Sequence, residues 1–200
     1  MRVDDLESGG APLLGEPLPI ELANATYAVR GRLVDGLQTP GHVAAWLRDN
    51  RARFTGEVTD RDLLAVGPGE LSATRLLRDA IRQLTDAAAH RTRPPQHAIE
   101  TVNHQVRTVP RWRELSWGDT TPTATTHTTA DPVGAALTEV AQQTVELFAG
   151  PDLPKVTACE APGCVLYFLK DHPRREWCSP ACGNRARAAR HYERTKQAGR

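Results

Sequence analysis

The chain has 200 residues, 40% hydrophobic and 24% charged, with a formal net charge of +1. That length holds one medium domain and a small one, the composition is that of a folded soluble protein, and no stretch approaches the ~18–20 apolar residues of a membrane span. The near-zero charge hides an asymmetry: residues 170–200 carry nine basic and three acidic side chains, and residues 1–169 carry sixteen and 21.

Residues 1–19 are rich in Gly and Pro and read as a flexible lead-in, pinned at most by Leu13, Leu14 and Leu18. Met1-Arg2-Val3-Asp4-Asp5 lacks the cationic region and apolar run of an export signal, which predicts a cytoplasmic protein. A helical body is expected over residues 20–153. Residues 20–29 form a first short element, helical or extended. A helix starts near Thr39-Pro40, with proline in its first turn, and runs to Arg53 with Val43, Ala44, Trp46 and Leu47 inward. Thr59 or Asp60 caps a short helix holding Leu63, Leu64 and Val66. From Glu70 to Arg91, Leu71, Leu77, Ile81 and Leu84 recur near the helical period, with Leu76 and Ala80 widening the stripe. Pro94-Pro95 breaks that helix and opens another to Arg107.

The character changes at Val109. Trp112, Leu115 and Trp117 precede a Gly118-Asp119 turn and a threonine-rich run, the pattern of a β-hairpin; a solvated loop is the alternative. Trp46, Trp112 and Trp117 are read as core or hairpin packing. Asp131-Pro132 is a cap and first-turn pair for a helix through Leu137, Val140, Ala141, Val145, Leu147 and Phe148, stopped by Gly150-Pro151.

A cysteine module occupies residues 154–200. All four cysteines lie in it, spaced C-x4-C-x13-C-x3-C: Cys159, Cys164, Cys178 and Cys182. A tetrahedral Zn2+ takes four soft donors of this kind from two tight turns. Disulfides, free structural thiols and iron–sulfur ligation are the competing readings, and a reducing cytoplasm and the short pairs favour zinc. His172 beside the finger is a substitute ligand were one cysteine misassigned. Pro162-Gly163 shapes a knuckle between the first thiols, Val165–Leu169 reads as a strand, a polar turn follows, and Glu176-Trp177 returns the chain to Cys178. Ser179-Pro180 then caps a helix to about Lys196. Knuckle, hairpin, then a helix whose first turn donates the last ligands is a treble-clef arrangement. So small a core, built from Leu166, Phe168 and Trp177, relies on metal to fold.

Cys182-Gly183-Asn184-Arg185, preceded by Trp177-Cys178-Ser179 and followed by Ala186, Arg187 and Arg190, closely resembles the C-terminal module of the bacterial CGNR zinc finger family. The preceding residues, including LANATYAVRGRLVDGLQTPGHVAAWL, LRDAIRQLTDA and DPVGAALTEVAQQTVELFAGPDLPKVTAC, are similar to the ABATE domain that accompanies it. That domain's family is described as a putative stress-induced transcription regulator. The resemblance implies a zinc-dependent DNA-binding regulator with the four cysteines as ligands. Its helical domain would sense a small-molecule effector, form a homo-oligomer, or both.

On the last helix Arg187, Arg190 and Arg194 share a face, with Arg185 nearby, and Arg174-Arg175 in the preceding turn extends the patch. Guanidinium forks suit phosphates and guanine edges. The plain alternative is a solvated helix, or arginines offsetting the −2 charge of a zinc–tetrathiolate cluster. A protein-interaction or RNA-binding finger remains the rival function. Of the 25 basic residues only three are lysines, which reads as the bias of a GC-rich bacterial genome. His97, Glu100 and His104 share a helical face but have no matching second helix. No G-x-S-x-G surrounds Ser8, Ser72, Ser116 or Ser179, and no nucleotide loop occurs, so no enzyme is expected. The fold class expected is mainly α with a small β-hairpin, followed by a treble-clef-like four-cysteine finger.

Overall fold

A computed structural model describes residues 11–198. The elements are α1 (Leu18–Ala23), β1 (Thr26–Val29), β2 (Arg32–Asp35), α2 (Pro40–Asp49), α3 (Asp60–Leu64), α4 (Pro68–Ala89), α5 (Gln96–Thr108), β3 (Arg111–Trp117), β4 (Pro122–Thr128), α6 (Pro132–Ala149), β5 (Val156–Ala158), β6 (Tyr167–Leu169) and α7 (Pro180–Ala198). The strands form three antiparallel pairs, β1–β2, β3–β4 and β5–β6, and short 3-10 turns lie at Arg51–Arg53 and Leu153–Lys155.

The helix starts follow local chemistry. Thr39 accepts from the His42 N–H at 3.3 Å while His42 Nδ1 accepts from the Thr39 N–H at 3.2 Å. Thr59 and Asp62 make the same reciprocal pair at α3, and the Glu70 carboxylate takes the Gly67 N–H at 2.8 Å at α4. Asp131 accepts from the Gly134 N–H at α6. Residues 20–29 split between the end of α1 and β1, which turns into β2 through Arg30 and Gly31, both at positive φ. Two such residues make the mirror-image turn whose twist suits a tight hairpin.

The core forms around α4. Leu77, Ala80, Ile81 and Leu84 pack against Leu18 and Leu22 of α1, Val43, Trp46 and Leu47 of α2, Ala98 and Val102 of α5, and Leu137, Val140 and Ala141 of α6. Leu76 does not widen this stripe: it is 65% exposed. Trp46 is a core residue, and Trp112 stacks on His127 across the β3–β4 hairpin; Trp117, at the hairpin tip, is 74% exposed and packs in no core.

Residues 1–10 of the expected lead-in lie outside the described residues. Residues 11–17 are held against α1. Glu21, fully buried, accepts from the Leu14 N–H at 3.0 Å and the Glu16 N–H at 2.7 Å. Burial pushes the Glu21 carboxyl up, with those N–H groups and Arg53 pulling the other way. Every residue of α1 is buried, because the body covers one side and the C-terminal module covers the other.

Candidate metal centre and basic helix

The four cysteine sulfurs converge to within 4.8 Å of one another, and all four are unbridged. Cys164–Cys178, Cys164–Cys182 and Cys178–Cys182 stand 3.8, 3.7 and 3.4 Å apart. Four sulfurs at about 2.3 Å from a tetrahedral zinc are about 3.8 Å from one another, so the donor set fits that ion in number, softness and spacing. Disulfide geometry requires about 2.05 Å, which none of the three pairs approaches. Among the described residues this is the one cluster suited to a metal. His172 stands outside it, and His97, Glu100 and His104 lie on the exposed face of α5.

The thiols are electrostatically interlocked. Hydrogen bonding from Cys164 and then Cys178 holds Cys159 far below the ordinary thiol range. The same contacts, seen from the other side, push Cys164 and Cys178 up. One thiolate therefore forms easily, and the others resist ionising beside it. A bound cation removes that conflict and releases the remaining protons.

The first knuckle sits at the tip of the β5–β6 hairpin, with the Cys159 N–H on the Leu166 carbonyl at 2.8 Å and Cys164 on Ala161 at 2.9 Å. This corrects the expected order. β6 pairs backward with β5, and residues 170–179 contain no return strand at Glu176-Trp177. The outer edge of β6 is occupied by side chains. Asn24 accepts from the Tyr167 N–H at 2.8 Å and donates to its carbonyl at 2.9 Å. Glu16 accepts from the Leu169 N–H at 2.9 Å, and Arg175 donates to the Leu169 carbonyl at 3.0 Å. No groups remain for another strand to bond.

Each position of Cys182-Gly183-Asn184-Arg185 has a distinct contact. Ser179 caps α7 through the Cys182 N–H at 3.3 Å. A Cβ on Gly183 would stand 2.9 Å from Trp177 Cδ1, so only glycine lets the indole lie against the helix. Asn184 accepts from Arg187 at 2.6 Å, and Arg185 donates to Cys182 Sγ at 3.2 Å. Phe168, Ala161 and Ala186 close the small core, with Leu166 and Trp177 at its margin.

The arginines divide into two sets. Arg175 turns inward: it pairs with the buried Glu16 carboxylate and lies 4.8 Å over the Phe168 ring, so it ties module to body rather than extending a surface patch. Arg185 addresses the thiolates. Arg187, Arg190 and Arg194 stay exposed on one face of α7, with Arg190 resting 5.5 Å over Trp177 and 3.8 Å from Glu176. Arg174 is exposed in the turn. Sequence reasoning missed the docking residues Glu16, Asn24 and Arg82; the last reaches the Val165 carbonyl at 2.9 Å and stacks 5.1 Å over Tyr167. The Tyr167 hydroxyl completes the joint by donating to Asp86 at 2.8 Å.

Among the described residues no helix is long and apolar enough to cross a membrane. No curated protein matches the chain. Residues 155–195 match the CGNR zinc finger. Residues 16–151 match ABATE, described as "Putative stress-induced transcription regulator". With that match spanning more than half its length, and with its cysteines gathered into one four-sulfur cluster, the chain belongs to the ABATE family and carries a CGNR zinc finger at its C-terminal end.

Proposed function

We propose that the protein is a cytoplasmic, zinc-dependent DNA-binding transcription regulator with no enzymatic role. The observation that carries this reading is α7: its first turn holds Cys182, whose sulfur joins the cysteine cluster 3.4 Å from Cys178, while Arg187, Arg190 and Arg194 face solvent along one side. At 19 residues α7 is about 28 Å long, enough to lie in a major groove with its guanidinium groups meeting phosphates and guanine edges. Zinc, held by Cys159, Cys164, Cys178 and Cys182, supplies the fixed origin from which α7 projects and neutralises part of the thiolate charge. Arg174, in the adjoining turn, adds a phosphate contact; Arg175 and Arg185 serve the fold and the cluster.

The body supports a sensing role. Between α4, α5 and α6 lies an open groove of about 370 Å³, lined mainly by apolar side chains including Leu84, Ile99, Val102, Phe148 and Leu153. Such a groove suits a small apolar effector.

Genomic fragments retained by the zinc-loaded full chain at near-physiological salt provide the test. Enrichment of a defined sequence is expected, and its loss in a Cys178→Ser, Cys182→Ser variant ties it to the metal. Arg187→Ala with Arg190→Ala should leave zinc stoichiometry unchanged, weaken binding and reduce the salt slope by about one unit per lost phosphate contact. A folded, zinc-bound protein that enriches nothing would refute DNA reading and favour a protein-interaction or RNA-binding finger.

A further inference from the structure

The β3–β4 hairpin is the least explained part of the body. It is a two-stranded arm whose last half bears large apolar side chains in water: Leu115 is 69% exposed and Trp117 74%. Its base is anchored by Arg111, which reaches the buried Glu139 carboxylate at 3.3 Å and Gln142 at 3.1 Å. Beyond that base the arm is a lone hairpin, a form of marginal stability in water.

The register shows which edge is open. The Gly118 N–H donates to the Thr121 carbonyl at 3.3 Å, and Trp117 stands opposite Pro122, which has no N–H to give. By the alternation of an antiparallel ladder, Trp112, Glu114, Ser116 and Gly118 direct their backbone groups toward β4. Those of Arg113, Leu115 and Trp117 therefore point away from it. Among the described residues nothing outside the hairpin bonds to them. Opposite, β4 begins with a proline and is mostly threonine, features that protect an edge. β3 has Arg113 and Glu114 but also the exposed leucine and tryptophan.

We propose that β3 pairs antiparallel with β3 of a second copy of this chain, across a two-fold axis at Leu115, joining two hairpins into one sheet. A two-fold interface must be self-complementary, and the order of residues selects this register. An axis at Arg113 sets two guanidiniums face to face, and one at Glu114 sets two carboxylates face to face. An axis at Ser116 pairs only Leu115 through Trp117. An axis at Leu115 pairs Arg113 through Trp117, matches their outward N–H and C=O groups, and brings the leucines together. It also sets each Arg113 opposite Trp117 of the second copy, on the same face, where a guanidinium rests on an indole. This surface is distant in sequence from the finger and does not depend on DNA binding.

The oligomeric state of the full, metal-loaded chain is the readout, by sedimentation equilibrium. A dimer is expected. Trp117→Glu and Trp117→Lys remove the same indole but set opposite charges against Arg113 of the second copy. The glutamate variant should retain the dimer, and the lysine variant should dissociate about tenfold more readily than it, since two symmetric pairs change sign. Leu115→Pro removes an outward N–H and leaves the β3–β4 ladder intact, so it should give a monomer with an unchanged circular-dichroism spectrum. A wild-type monomer at the highest soluble concentration overturns the proposal and leaves the edge for a different protein. Equal behaviour of the glutamate and lysine variants overturns the register.

Discussion

Asn24→Ala is the most informative substitution for the joint between body and finger. The Asn24 amide bonds both backbone groups of Tyr167, at 2.8 and 2.9 Å, and the residue is fully buried. Alanine strands a buried N–H and a buried C=O where water cannot replace the lost partner. Each orphaned group costs about 1–3 kcal/mol, so the pair costs about 2–6 kcal/mol. That is a large share of the ~5–15 kcal/mol that holds a typical domain folded. Asn24→Asp should not rescue it, because an oxygen would then face the Tyr167 carbonyl. Urea unfolding at fixed zinc, followed by both tryptophan fluorescence and far-ultraviolet circular dichroism, gives the measurement. A lowered midpoint with an unchanged slope is the simple outcome. A midpoint shift worth less than about 1 kcal/mol would refute the claim that the Asn24 amide completes the edge of β6.

Arg185→Ala should speed zinc loss to a competing chelator by roughly fivefold or more, with Arg185→Lys intermediate, since an ammonium donates to sulfur without the guanidinium's planar fork. Gly183→Ala forces a methyl to within 2.9 Å of the Trp177 ring; a loss of about 1–3 kcal/mol and a changed tryptophan emission are expected. Asp35 gives a pH test. Burial raises its carboxyl pKa, but bonds to Arg78 and the Leu37 N–H, with the charges of Arg78 and Arg75, bring the net value below the ordinary 3.8. A depressed carboxylate contributes stability above its unfolded pKa and loses it as pH falls through the folded one. Asp35→Asn should therefore lower stability at neutral pH by about 1 kcal/mol, since the carboxylate is a third exposed and solvent screens it, and flatten the acid limb below about pH 4, as followed by thermal melts from pH 2 to 7.

What could be read in the sequence was local. Thr39, Thr59 and Asp131 announced helix starts because a cap needs only the residues beside it, and Gly118-Asp119 marked the hairpin. The metal site was legible because thiols that share an ion must be brought close by short turns. What failed was non-local. Asn24 meets Tyr167 across 143 residues, and Glu16 meets Arg175 across 159. Neither pairing leaves a spacing or a period. The hairpin expected between the two cysteine pairs is likewise absent, and the outer edge of β6 is taken by Asn24, Glu16 and Arg175 instead. Leu76 fitted the helical stripe in composition, yet the stripe's width depends on which neighbours arrive. Arg175 and Arg174 are adjacent in sequence and face different surroundings, which no charge count distinguishes.

The complete burial of α1 makes the metal a distant ligand of the helical body. The body contributes no sulfur, but Ile20 and Asn24 keep their surroundings only while Tyr167 and Val156 are folded onto them. Free zinc at a hundredfold its dissociation constant adds about 2.7 kcal/mol to the folded state it binds, and that gain is felt wherever folding is cooperative with the site. Linkage runs both ways. A molecule that tightened the packing of α1 against α4 would slow the escape of zinc from cysteines it never touches, so metal retention becomes a readout for whatever the body binds.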